Sequence, residues 1–154
     1  MKKLLMTLAL VLASQLAFCQ TFDEVANQLK ALPQAQYQEL NKEVLKLASG
    51  GIEDESIKKV FNNLECMKML VITDADEATR ADFIQKASSL KTRYEKIAEE
   101  SEDGQSVLIF VEKGEDDKTK CIIMAMAADS ACQFICFEGD LSLSDLEALG
   151  SLNQ

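Results

Sequence analysis

The side chains with the clearest chemical capacity are four cysteines, Cys66, Cys121, Cys132 and Cys136, and three acidic clusters. A thiolate attacks carbonyls and disulfides, two thiols can close a bridge, and grouped carboxylates can hold a cation or divide acid and base roles. Absences narrow these options. The 154-residue chain contains no His, which removes Ser–His and Cys–His catalysis, His-ligated zinc and an imidazole pH switch. It has no Cys-x-x-Cys and no lysine-rich surround that would acidify a thiol. The four cysteines all fall in apolar runs of strand length, where a free thiol packs as a small hydrophobe. Disulfides are the competing reading. Cys132 and Cys136 would lie about 13 Å apart along one strand, beyond the roughly 7 Å Cα separation a bridge tolerates. A turn at Asp129-Ser130 would set Cys121 opposite Glu138 and Cys136 opposite Ile123. Cys121 and Cys136 then form a diagonal pair that bridges only with adjustment.

The acidic clusters read as structure. Asp74-Ala75-Asp76-Glu77 opens like a calcium loop but lacks its central Gly and closing Glu, so capping of a helix explains it better. Residues 99–103 and 115–117 read as solvated turns. No pair among the 26 acids is singled out for glycoside hydrolysis, and no Trp is present to make a sugar platform. Gly50-Gly51 is not a phosphate-binding loop, and Ser142 and Ser144 lie outside any Gly-x-Ser-x-Gly. Met67, Met69, Met124 and Met126 alternate as packed strand residues do, so they read as core filler and not as a copper site. The reading is therefore no catalytic residue, no metal site and no cofactor.

The elements that must carry these residues follow from periodicity. Thr21 with Glu24 has capping-box spacing, and Phe22, Val25, Ala26, Leu29 and Leu32 follow a helical repeat until Pro33. Tyr37, Leu40, Val44, Leu47 and Ala48 predict a second helix ended by Gly50-Gly51, and Ile57, Val60, Phe61 and Leu64 a third. Residues 66–72 are a strand. Asp74 with Glu77 predicts a helix over about 75–90, with Ala78, Phe83, Ile84, Ala87 and Leu90 inward. Residues 94–98, 106–111, 121–127 and 132–137 complete the strands, the last two joined at Asp129-Ser130. Ser142 with Asp145 caps a final helix that Gly150 stops. On the late hairpin Ile122, Met124, Met126, Ile135 and Phe137 share one face, while Cys121, Ile123, Ala125, Ala127, Cys132, Phe134 and Cys136 share the other. The expected fold is α+β: a mainly antiparallel sheet of four to five strands over residues 65–150 with helices packed on it, preceded by a helical N-terminal segment over 20–64.

Residues 1–19 differ in kind. Lys2 and Lys3 precede an apolar stretch over 4–13, and Ala17-Phe18-Cys19 is a small-x-small ending, the pattern of a secretory signal that is too short to span a bilayer. Cleavage after Cys19 leaves Gln20 as the first mature residue. Leu16-Ala17-Phe18-Cys19 also resembles a lipobox that would lipidate Cys19, but Phe18 stands where a small residue belongs. Shedding Lys2 and Lys3 takes the net charge from −10 to −12. Such a surface disfavours nucleic acid and anionic membrane and attracts cationic partners or divalent cations, a solvated charged face being its more usual explanation.

From Cys66 onward the order of elements resembles a known family. An exported leader, an apolar strand feeding an acid-capped helix and Tyr94-Glu95 before a turn match it. So do Ser106-Val107-Leu108-Ile109-Phe110-Val111 and the ending Gly139-Asp140-Leu141-Ser142-Leu143-Ser144-Asp145-Leu146. The chain is similar here to the small exported Bacteroidetes proteins of domain of unknown function 4252. The resemblance covers roughly the last 90 residues well and implies an envelope or secreted location and an α+β domain, with no reaction and no functional residue. The functional expectation is an exported periplasmic or envelope domain that binds a protein or peptide or supports an envelope assembly. A thiol-dependent redox protein using Cys132 or Cys136, or a small-molecule or lipid carrier, is the alternative.

Overall fold

Thr21 begins the described chain as a helix cap. The computed structural model describes residues 21–90, 94–114 and 119–150; the leader with Cys19 and Gln20, and the acidic residues 115–117, lie outside them. The Glu24 amide donates to the Thr21 hydroxyl at 3.4 Å, and the Thr21 amide donates to the Glu24 carboxylate at 3.3 Å. This is the expected capping box. It starts α1 (Phe22–Leu29), which buries Phe22, Val25, Ala26 and Leu29. Removing Phe22, Val25 and Leu29 from water favours folding by roughly 1.5–3 kcal/mol each.

The next stretch departs from expectation. Ala35–Asn41 is a strand, β1, and not the first half of a helix. Asn41 closes it and caps α2 (Lys42–Ser49), its side chain accepting from the Val44 amide at 3.0 Å. The shorter helix turns Leu45 and Ser49 inward, so Val44 and Leu47, expected in the core stripe, are 42% and 81% exposed. After α3 (Glu55–Asn63), capped by Asp54, the chain enters β2 (Leu64–Ile72). Then α4 (Glu77–Ala87) is capped by Asp76, whose carboxylate accepts from the Thr79 amide at 2.7 Å. Asp74, the expected cap, instead has a positive φ of 53°. It lies in a loop stitched to the turn at Asp129-Ser130: the Ala75 amide donates to the Ser130 carbonyl at 2.7 Å, and Arg80 donates to the carbonyls of Ala75 and Asp129. Phe83, Ala87 and Leu90 are buried as expected, while Ala78 is exposed.

Four strands follow: β3 (Glu95–Glu102), β4 (Gln105–Lys113), β5 (Thr119–Ala128) and β6 (Ala131–Leu141). The acidic stretch expected to be a turn is thus mostly strand, and the reversal is confined to Asp103-Gly104, at φ 50° and 77°. Two successive positive φ values suit a tight Asp-Gly hairpin. The sheet is antiparallel throughout, in the order β1-β2-β6-β5-β4-β3. It has six strands where four to five were expected. The added strand is β1, supplied by the segment read as helical.

Both faces of the sheet are covered. On one, α1 and α4 pack against Leu70, Ile72, Leu108, Phe110, Ile123, Ala125, Cys132, Phe134 and Cys136. On the other, Leu45 of α2 and Val60 of α3 meet Ile122, Met124, Ile135 and Phe137, with Met67, Met69 and Met126 packed alongside. Every methionine of the four falls in this second layer, as strand alternation predicts. The final helix, α5 (Leu143–Gly150), opens on the expected Ser142–Asp145 pair: Ser142 N donates to Asp145 Oδ2 at 2.8 Å, and Asp145 N to Ser142 Oγ at 3.3 Å. Among the described residues no helix is long and apolar enough to cross a membrane.

Candidate functional site

Strand order places one row of side chains across the sheet. Cys66 of β2 pairs with Glu138 of β6, Glu138 with Cys121 of β5, and Cys121 with Glu112 of β4. Directly paired residues in an antiparallel sheet point to the same face, here the face that carries α1. The row lies beyond the part of that face filled by the α1 core residues, and a cleft of about 500 Å³ opens there. Glu112, Cys121 and Glu138 of the row line it, with Lys120 beside them, Asp23 and Tyr94 opposite, and Glu65 at the rim. A second depression of about 690 Å³ shares Glu112, Lys120 and Gly139 with the first and adds Lys113 and Asp140. Together the two are lined by five carboxylates, Asp23, Glu65, Glu112, Glu138 and Asp140, and two lysines; Glu65 is in addition paired with Lys42 at 2.7 Å.

Lys68 anchors one side. Its ammonium lies 3.1 Å from Asp23 and 3.3 Å from Glu138, tying α1 to β6. Burial works against its charge, but the hydrogen bond to Asp23 and the Glu138 carboxylate outweigh that, and its pKa rises. Tyr94 fixes the opposite wall, its hydroxyl accepting from the Phe22 amide at the start of α1 at 3.3 Å. Burial pushes the Tyr94 phenol from 10.0 up to about 12, partly offset by that amide donor. The folded chain therefore holds this proton more tightly than the unfolded chain. Its contribution to stability is complete below pH 10 and is lost as pH rises towards 12. Alkaline denaturation followed by circular dichroism should show a fall in stability through this window, and the fall should shrink in Tyr94→Phe. An unchanged alkaline slope in that variant would show that the phenol is not responsible.

The thiols differ from one another. Cys121, Cys132 and Cys136 are buried, as read from sequence, but Cys66 is only half-buried, 3.7 Å from a Glu39 carboxylate oxygen. Burial, then the charges of Glu138 and Glu39, push its pKa up to about 11. Burial likewise raises Cys132. Cys136 is raised by its hydrogen bond with Cys121 and then by burial. Raised values leave these three thiols protonated at neutral pH and poorly nucleophilic. Cys121 and Cys136 lie 3.0 Å apart, sulfur to sulfur, a proximity the flat-strand register argument understated. Among the described residues no group of three or more Cys, Asp or Glu side chains converges to hold a metal. The Asp74–Glu77 cluster is occupied with capping and the turn contact described above.

Sequence reasoning named none of Asp23, Glu65, Lys68, Glu112 or Lys120 as site residues. The one signal for Asp23, Glu65 and Glu112 was the acidity of the chain as a whole, with 26 Asp and Glu, which singles out no position; Lys68 and Lys120 carried none.

No curated protein and no solved structure matches the chain. The family described as Domain of unknown function (DUF4252) matches residues 29–149, from the end of α1 into α5. The match reaches back through β1, α2 and α3, further than the sequence resemblance did, and takes in all six strands of the sheet. On that span the chain belongs to the DUF4252 family.

Proposed function

We propose that this chain is an exported, non-enzymatic domain whose acidic cleft receives a basic segment of a protein partner. The observation that carries the reading is the cleft itself, where five carboxylates outnumber by one the two lining lysines together with Lys68 and Lys42, which pair with Asp23, Glu138 and Glu65, on a floor of paired strands. Charge of one sign in a concave site raises the local concentration of the opposite sign and speeds encounter. The leader over residues 1–19 supports an extracytoplasmic site of action, cleaved before Gln20, with a lipid tether at Cys19 as the lesser route. The raised thiol pKa values count against nucleophilic redox catalysis by Cys132 or Cys136. Stacking of Phe22 on Phe134 fills the space between sheet and α1 where a carried lipid would sit.

A fluorescein-labelled peptide of alternating lysine and alanine tests this by anisotropy. Binding should weaken about tenfold when ionic strength rises from about 0.05 to 0.5 M, because rim charges are screened over this range. The double variant Glu65→Gln, Glu112→Gln should lose about tenfold in affinity at low salt, the sum of two cleft charges worth up to about 1 kcal/mol each. Equal affinity of wild type and double variant would place the peptide elsewhere on the acidic surface and end the proposal.

A further inference from the structure

We propose that Cys121 and Cys136 close a disulfide across β5 and β6 when the chain folds in the presence of a disulfide-bearing oxidant. The two sulfurs stand 3.0 Å apart, inside the separation at which unbonded sulfurs touch. Their residues are diagonal neighbours, since Cys121 pairs with Glu138 and Ile123 with Cys136. The register slips between Thr119 and Cys121. Such irregularities increase local twist, which draws one diagonal of an antiparallel pair together. Cys132 sits four residues along the same strand from Cys136, facing Ile72 and Ala127. Cys66 is also a diagonal neighbour of Cys136, across β2 and β6, but its thiol lies 3.7 Å from Glu39 of β1, whereas the Cys121 thiol meets that of Cys136.

The chemistry balances with a protein disulfide or glutathione disulfide as oxidant. One cysteine thiolate attacks a sulfur of the oxidant, forms a mixed disulfide and expels one thiolate. The second cysteine, deprotonated, attacks the mixed disulfide at the first cysteine's sulfur and expels the other. Two electrons pass to the oxidant, which leaves as two thiols carrying the two protons. Burial of both residues in the finished fold, 4% and 1% exposed, places this exchange during folding. Cys121 lines the cleft, so the bridge would pin the cleft floor beside Glu138.

The inference rests on the proposed export for its oxidant in the cell, and two arms separate the claims. In the first, reduced and denatured mature chain is refolded in a glutathione and glutathione disulfide buffer, alkylated in denaturant without reduction, and mapped by mass spectrometry. The expected result is a fall from four alkylated cysteines to two, Cys66 and Cys132, with a peptide linked through Cys121 and Cys136. Four alkylated cysteines, or any other linkage, overturns the pair. In the second arm the same map is made on protein recovered from its native cells. A linked peptide there supports the pair in its own compartment. Four free thiols there, after a positive refolding arm, leaves the pair standing and overturns export to an oxidising compartment.

Discussion

Phe134→Ala should lower the free energy of unfolding by about 3–5 kcal/mol, the range for truncating a fully buried aromatic. Phe134 sits in the middle of β6, paired with Leu70 of β2 on one side and Ala125 of β5 on the other, and is 0% exposed. Its ring stacks on Phe22 of α1, with centroids 4.4 Å apart and planes 19° off parallel. It also meets Phe83 of α4 edge-on at 6.3 Å and 88°. One side chain thus joins two helices to the centre of the sheet, and its removal leaves a cavity that none of the three can fill without moving the others. Domains of this size are usually stable by only about 5–15 kcal/mol, so the variant should sit near its unfolding threshold. Urea denaturation read by circular dichroism should show a lower midpoint with an unchanged slope. Phe134→Leu, which keeps much of the volume, should recover most of the loss. A loss under about 1 kcal/mol for the alanine variant would mean that the Phe22–Phe134–Phe83 cluster does not hold the helices to the sheet.

Gly139→Ala should cost about 2–4 kcal/mol by a different route, overpacking against backbone. A Cβ at this position would lie 2.4 Å from the Asn63 carbonyl oxygen, 3.0 Å from Leu64 Cα and 3.1 Å from the Glu65 amide nitrogen. All three are main-chain atoms where α3 passes into β2, so no side-chain rotation relieves the clash. Either β6 or the α3–β2 junction must shift. Gly139 and Glu65 both line the acidic cleft, so peptide affinity should fall together with stability. Gly104→Ala is the natural comparison. Its φ of 77° also disfavours a side chain, yet nothing lies within 4 Å of the added methyl. That variant should lose only about 1 kcal/mol, the conformational part alone. Equal stabilities for the two glycine variants would refute the close approach of β6 to residues 63–65.

Much of the architecture is legible residue by residue. The caps at Thr21–Glu24 and Ser142–Asp145 form as their spacing implies. The turn at Asp129-Ser130 sets Cys121 opposite Glu138 and Ile123 opposite Cys136, and the two faces of that hairpin divide between the two core layers as alternation requires. The misses have a common origin. Tyr37 and Leu40 continue into Val44 and Leu47 at helical spacing, yet residues 35–41 pair with β2, whose outer edge would otherwise expose a row of unpaired amides and carbonyls. Residues 99–102 are poor strand formers by type, and β4 holds them in a strand by supplying the partner groups.

Local spacing alone determined the caps at Thr21 and Ser142, the turn of the late hairpin and which side of its strands faces each core, because these depend on atoms a few positions apart; it placed the α4 cap at Asp74, two residues before Asp76, which makes it. Tertiary structure decided that β6 lies between β2 and β5, and so brought Cys66, Glu138, Cys121 and Glu112 into one row. It also decided that the sulfurs of Cys121 and Cys136 touch. Neighbours across a sheet are chosen by edge pairing and by the burial of whole faces, and those energies belong to no single stretch of chain.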